Sequence, residues 1–119
     1  MSAEALQHLA DVEEIRIGFR RPDGSTRSVP IWVVQVGSDI YVRSVRGPEG
    51  GWYRRLRAHP DGEVRDGEHR HPVRAVAITD AGTLDQVTRA YGSKYGASPF
   101  VRPLLGGRSV EATLRLDPA

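Results

Sequence analysis

Hydrophobic positions recur along this chain with a period of two more often than with a period near 3.6. Ile15, Ile17 and Phe19 alternate with Glu14, Arg16 and Gly18, the spacing of a strand with one buried face. Pro22, Asp23 and Gly24 then supply turn chemistry. Residues 29–36, Val-Pro-Ile-Trp-Val-Val-Gln-Val, are apolar on both faces and predict a central strand covered on both sides. After Gly37-Ser38-Asp39, Ile40 and Val42 alternate with Tyr41 and Arg43, predicting a hairpin partner with one dry face and one face of function-capable groups. Asp61-Gly62 and Asp66-Gly67 read as turns flanking a short strand, and residues 73–79 as a further apolar strand. Beyond Gly106-Gly107, the alternation of Val110, Ala112, Leu114 and Leu116 predicts a final strand.

Helical spacing is rarer. Ala3, Leu6 and Leu9, with Ser2 as cap, predict a short N-terminal helix within residues 1–11. Trp52 and Leu56 suggest a short helix ending before Pro60. Leu84, Val87, Tyr91 and Tyr95 form the clearest stripe, opened by Thr83 and Gln86 in a capping-box spacing and closed by Gly96. About six short strands and two or three short helices predict a mainly β, α+β fold: a small antiparallel barrel, in one domain over residues 1–119.

With 119 residues, 39% hydrophobic and 27% charged, the composition is that of a globular chain large enough for one core. Cysteine is absent, which excludes disulfides, thiolate metal sites and cysteine nucleophiles. No apolar run reaches membrane-spanning length and the polar start lacks a signal-peptide pattern, so the expected location is the cytoplasm, away from membranes. The formal charge is only +2 and no RNA-binding signature occurs, which argues against nucleic acid as a partner. Lys94 is the single lysine, so the basic residues are nearly all arginine, whose planar fork suits phosphates and carboxylates. A base-composition bias in the gene accounts for the same enrichment.

The chemistry concentrates in residues 43–57. Arg43, Ser44, Arg46 and Gly47 precede Gly50-Gly51 and a helix start followed by Arg54 and Arg55. Glycines admit close backbone approach, a helix N-terminus offers free N–H groups, and arginines add forked donors, which together describe an anion site. The same residues also read as a solvated helix face after a turn. Trp32 and Trp52 suit either stacking on a planar ring or a place in the core, and Arg27 either a ligand contact or an exposed turn. His69 and His71 share a strand face without a third ligand nearby, so no metal site is expected, and no serine sits in a nucleophile setting.

Three pieces in order carry a family likeness: residues 27–34 (RSVPIWVV), 40–44 (IYVRS) and 52–60 (WYRRLRAHP). Over residues 13–80 the chain resembles the split β-barrel superfamily of pyridoxamine-phosphate oxidases and deazaflavin-dependent nitroreductases, and within it a small bacterial branch catalogued as a domain of unknown function. That resemblance implies a split barrel with FMN or a deazaflavin as cofactor. It points to Arg43, Ser44, Arg54 and Arg55 for the phosphate, with Arg46 and Gly47 in the same segment. Trp32, Tyr41 and Trp52 fall near the ring, and Arg27 in the first loop to approach the cofactor. The usual Ser/Arg/Lys cluster is replaced here by Trp52-Tyr53-Arg54-Arg55, a departure from the flavin-binding branches.

The expected function is therefore a flavin- or deazaflavin-binding oxidoreductase, nitroreductase-like, acting on a small organic substrate. The alternative is a non-catalytic module binding a small ligand on the same scaffold. A homodimer is expected on two grounds. Trp32, Val34 and Val36 need cover, and split-barrel relatives pair along this wall. The competing cover is the helix from Leu84 to Tyr95, or the N-terminal helix, packed over that face within one chain.

Overall fold

Seven antiparallel strands build the computed structural model, which describes residues 3–119. In chain order they are β1 (Ile15–Arg20), β2 (Thr26–Ile31), β3 (Val33–Val36), β4 (Asp39–Arg43), β5 (Asp61–Asp66), β6 (His69–Ala77) and β7 (Thr113–Pro118). They form one sheet in the order β2-β1-β5-β6-β7-β4-β3. Helices α1 (Ala3–Asp11), α2 (Gly51–Ala58), α3 (Ala81–Tyr95) and α4 (Arg108–Glu111) are joined by single 3-10 turns at Gly47–Glu49 and Pro99–Leu104. Among the described residues no helix is long and apolar enough to cross a membrane.

The apolar run of residues 29–36 is not a central strand. It breaks at Trp32 into β2 and β3, which are the two edges of the sheet. β2 pairs with β1 in the register Ile17↔Val29, and β3 with β4 in the register Val33↔Val42. One residue links the edges, so they meet at Trp32 and separate away from it, and the sheet curls into a split barrel. Pro30, which lacks an N–H, is tolerated because β2 is an edge.

The apolarity on both faces follows from two cores. Ile31, Val33, Ile40 and Val42 point into the barrel with Ile15, Ile17, Val64, Val73, Leu114 and Leu116. Val34 and Tyr41, their neighbours in sequence, point the other way beneath Val87, Tyr91 and Tyr95 of α3, with Trp32 and Val36 packed alongside. Helix α3 thus covers the face that the sequence reading assigned to a partner subunit, because its stripe is long enough to lie across β3. That face gives no reason for a dimer.

Local signals were partly redirected by the fold. Residues 22–24 turn as expected: Gly24 takes φ +87°, and Asp23 Oδ1 accepts from Ser25 N at 2.9 Å and Ser25 Oγ at 2.6 Å. Asp66-Gly67 turns with Gly67 at φ +60°. Asp61-Gly62 does not turn but opens β5, where a Cβ on Gly62 would lie 2.7 Å from the Gly18 carbonyl oxygen. The cap of α3 is Asp80, whose Oδ2 accepts from Thr83 N at 2.9 Å, so Thr83 is inside the helix rather than its cap. The last strand starts at Thr113, since Ala112 N closes a helical turn on Ser109 O at 3.0 Å and draws Val110 into α4. Ser2, proposed as the cap of α1, lies outside the described residues, as do the side chains of Ala3 and Leu6.

Candidate functional site

Where the sheet edges part, a cleft of about 990 Å³ opens between β2 and α2. Its wall on one side is Arg27, Val29, Pro30 and Ile31 of β2, with Trp32 at the corner and Phe19 beneath. Opposite stand Gly51, Trp52, Arg54, Arg55 and Ala58 of α2. The end nearest Trp32 is closed by Ser44, Val45 and Arg46 and by Phe100 and Leu104 from the Pro99–Leu104 turn. Five residues of extended chain separate Arg27 from Trp32, a span of roughly 16 Å.

Local sequence explains how α2 is placed. Gly47 takes φ +72° and sits so close to α4 that a Cβ would lie 2.7 Å from Arg108 Cβ, which lets the chain reverse after β4. Ser44 holds that reversal: its N–H donates to Ala112 O at 3.2 Å, and its carbonyl accepts from Ser109 Oγ at 2.8 Å and Gly47 N at 3.0 Å. At Gly50 a Cβ would collide with Ser44 Oγ, so glycine brings the helix start against the serine. Helix α2 then begins with no side-chain cap, and its first backbone bond is Arg54 N to Gly50 O at 3.0 Å. The N–H groups of Gly51, Trp52 and Tyr53 have no intrahelical acceptor. Leu56 and Tyr53 anchor the helix in the core, and Arg55 Nε ties it to β1 by donating to Arg20 O at 3.1 Å.

Arginine is concentrated at the cleft. Arg65, Arg70, Arg74, Arg89, Arg108 and Arg115 are paired with carboxylates elsewhere. Among the described residues no carboxylate forms an ion pair with Arg27, Arg46, Arg54 or Arg55, all of which line the cleft with Arg21, which interacts with Asp23; Glu14 is the lone acidic lining residue. Arg16, Arg20, Arg57 and Arg102, which do not line it, are likewise without a carboxylate ion pair among the described residues. Unpaired cations around an apolar cleft suit an anionic ligand with a hydrophobic body.

Of the residues singled out in the sequence, the fold brings Arg27, Trp32, Ser44, Arg46, Trp52, Arg54 and Arg55 together here. Tyr41 is not among them; it is 5% exposed in the core beneath α3, where burial pushes its hydroxyl above the ordinary range. Gly47 lies behind the lining, against α4. Arg43 borders the cleft, yet its guanidinium is turned into the protein: Nε donates to Thr113 Oγ1 at 2.8 Å, Nη1 to Thr88 Oγ1 at 2.8 Å and Leu104 O at 2.9 Å, and Nη2 to Leu84 O at 2.8 Å. Four of its five N–H donors are thereby engaged. Burial lowers its pKa from the ordinary value, although a guanidinium remains charged. The Tyr41/Arg43 face of β4 thus packs against α3.

Other lining residues carried no sequence signal. Phe100 is 76% exposed and Val45 59%, the two large apolar side chains that stand out of the described surface, and both are on the rim of this cleft. His69 and His71 do share a face, with parallel rings 6.5 Å apart, away from the cleft.

One pair defines the corner. The Trp32 indole stacks on the Tyr95 ring with centroids 4.2 Å apart and planes 4° from parallel. Tyr95 Oη donates to Glu13 O at 2.6 Å and accepts from Val33 N at 3.2 Å, and Tyr91 Oη donates to Trp32 O at 2.9 Å. Burial pushes Tyr95 up to about 12 and Tyr91 further still.

A family model described as "Uncharacterized protein conserved in bacteria (DUF2255)" matches residues 5–116. The chain belongs to the DUF2255 family. No curated protein matches it. Among solved structures, this DUF2255 chain is similar to a conserved hypothetical protein of Mycobacterium tuberculosis, Rv2991, at 15% identity and TM-score 0.73, covering 98% of this chain and 78% of that one. It is similar to HutZ, the heme storage protein of Vibrio cholerae, at 15% identity and TM-score 0.72, over 98% and 88% of the two chains. An F420-H2 dependent reductase, FDR-A, aligns at 15% identity and TM-score 0.68, over 88% and 94%. These likenesses establish the split-barrel fold for the DUF2255 chain.

Proposed function

We propose that the cleft binds a planar, anionic cofactor of the flavin or deazaflavin type and serves a cytoplasmic oxidoreductase acting on a small organic molecule. The observation that carries this reading is the set of arginines without a carboxylate ion pair, Arg27, Arg46, Arg54 and Arg55, around a cleft that also holds Trp32 and Trp52. Arg54, Arg55 and the open N-terminus of α2 would hold the phosphate, and Ser44 Oγ stands beside that N-terminus. Trp32, Trp52 and the β2 wall would receive the ring. The bound cofactor supplies hydride transfer, and the protein orients it and excludes water. The F420-dependent neighbour supports this choice.

Heme is the competing planar anion, since one neighbour is a heme storage protein. Among the described residues that line the cleft none is His, Cys, Met or Tyr, so these offer heme iron none of its customary axial ligands.

The test is an absorbance spectrum of the freshly purified protein, followed by titration with FMN and with a deazaflavin. Arg54→Ala and Arg55→Ala are expected to weaken binding by about 10- to 100-fold each, the worth of a charge-assisted hydrogen bond; Arg54→Ala leaves the melting temperature unchanged, and Arg55→Ala lowers it slightly through the lost bond to Arg20 O. A parent protein that binds while both variants match it removes the phosphate assignment. A protein that binds neither cofactor removes the reading. Binding confined to FMN analogues without turnover of a nitroaromatic or quinone substrate leaves the non-catalytic module. A second copy of the chain is the proposed partner, with the exposed Phe100 and Val45 at the rim as the candidate contact, and a monomeric mass by light scattering with FMN present rules it out.

A further inference from the structure

The stacked aromatics lie between two cavities. Trp32 lines the large cleft, whereas Tyr95 lines a smaller cavity of about 310 Å³ with Asp11, Glu13 and Lys94, and neither residue lines the other's cavity. The pair is therefore the wall separating them, with one indole face covered by Tyr95. We propose that Tyr95 is a positioning residue: it clamps Trp32 so that the opposite indole face is a fixed platform on which the ligand's ring stacks. This rests on the cleft being the cofactor site and assigns the ring to Trp32 rather than to Trp52.

The geometry favours Trp32 on three counts. It sits in the one-residue link between β2 and β3, where no ladder bond restrains its side chain, so orientation must come from packing. Tyr95 supplies that packing with nearly parallel planes at 4.2 Å. Tyr95 is in turn held by its hydroxyl, bonded to Glu13 O and to the Val33 backbone on either side of the sheet edge, and by Tyr91 stacked at 6.0 Å. The support thus runs from a hydrogen-bonded, 5% exposed tyrosine to a half-buried tryptophan at the cleft wall. Trp52 packs against the barrel core and meets Tyr53 edge-on at 6.3 Å, with no parallel ring stacked behind it among the described residues. A platform fixed before binding lowers the ordering cost that a mobile indole would add.

The test separates ring from phosphate. Riboflavin carries the ring alone and FMN the ring with a phosphate, so a defect in the platform affects both equally. Tyr95→Leu is expected to weaken riboflavin and FMN by the same factor, about three- to tenfold for an aromatic stack, and Tyr95→Phe, which keeps the stacked ring but loses the hydroxyl tether, to fall between that variant and the parent for both. Arg54→Ala, in contrast, is expected to weaken FMN and leave riboflavin unchanged. A folded Tyr95→Leu protein with the parent's riboflavin affinity overturns the inference while leaving the cofactor reading intact. A parent that binds neither flavin overturns both. Should Tyr95→Leu fail to fold, the Trp52→Phe variant, in which Trp32 is the single tryptophan, decides: a rigid indole by fluorescence anisotropy, fully quenched by riboflavin, is the expected result, and a mobile or unquenched one is the contrary result.

Discussion

Arg43→Met separates a structural arginine from a ligand-binding one. The native guanidinium is 1% exposed and donates four hydrogen bonds that join β4 to β7, to two positions of α3 one turn apart, and to the Pro99–Leu104 turn. Methionine fills much of the stem volume, so the cavity contribution is small and the loss is mainly polar. Thr88 Oγ1 still donates to Leu84 O, and Thr113 Oγ1 to Val110 O, so those groups keep a partner. Leu104 O loses its bond from Nη1 in a buried setting. A buried acceptor deprived of its donor costs about 1–3 kcal/mol, and each of the remaining three bonds contributes roughly 1 kcal/mol net. Removing a desolvated cation offsets part of this, leaving a loss of about 2–4 kcal/mol. For a chain of this size that corresponds to a fall in melting temperature of about 8–16 °C, measured by circular dichroism. FMN affinity, titrated at a temperature where both proteins are folded, is expected to change less than threefold. A variant that melts within about 2 °C of the parent yet loses FMN tenfold or more would show that Arg43 is a ligand group and that the internal hydrogen bonds are incidental.

Two further outcomes follow from the packing. Tyr95 has its pKa pushed up to about 12 by burial, so the folded state keeps a proton that the unfolded chain releases near 10. Its stabilising contribution is full below pH 10 and lost as pH rises from 10 towards 12; urea titrations across that window should show the decline, and Tyr95→Phe should make it shallower while Tyr91 and Tyr41, raised in the same sense, keep part of it. Gly62→Ala places a Cβ 2.7 Å from Gly18 O and 2.9 Å from Leu56 Cδ2, forcing β1 and β5 apart or displacing α2; a loss of about 1–3 kcal/mol in chemical denaturation is expected, and an unchanged midpoint would contradict the tight crossing.

The features legible in the sequence were those set by neighbouring residues. The two-residue alternation of Ile15, Ile17 and Phe19 identifies a strand whatever lies beside it, and Pro22-Asp23-Gly24 turns because Gly24 alone accepts φ +87° without strain. The break at Gly50-Gly51 likewise announced α2, and Arg54, Arg55 and Trp52 came with it. Tertiary structure decided which groups these elements meet. Tyr41 and Arg43 alternate with Ile40 and Val42 as any two-faced strand does, but only the packing of α3 makes their face a second core. Trp32 lies inside an unbroken apolar run, and it becomes a corner only because β2 and β3 join opposite edges of one sheet through pairings distant in the chain. Phe100 and Arg21 reach the cleft from segments with no periodic signal of their own. A local pattern records backbone preference and the hydrophobicity of each face; which neighbour covers a face depends on long-range contacts that the pattern does not encode.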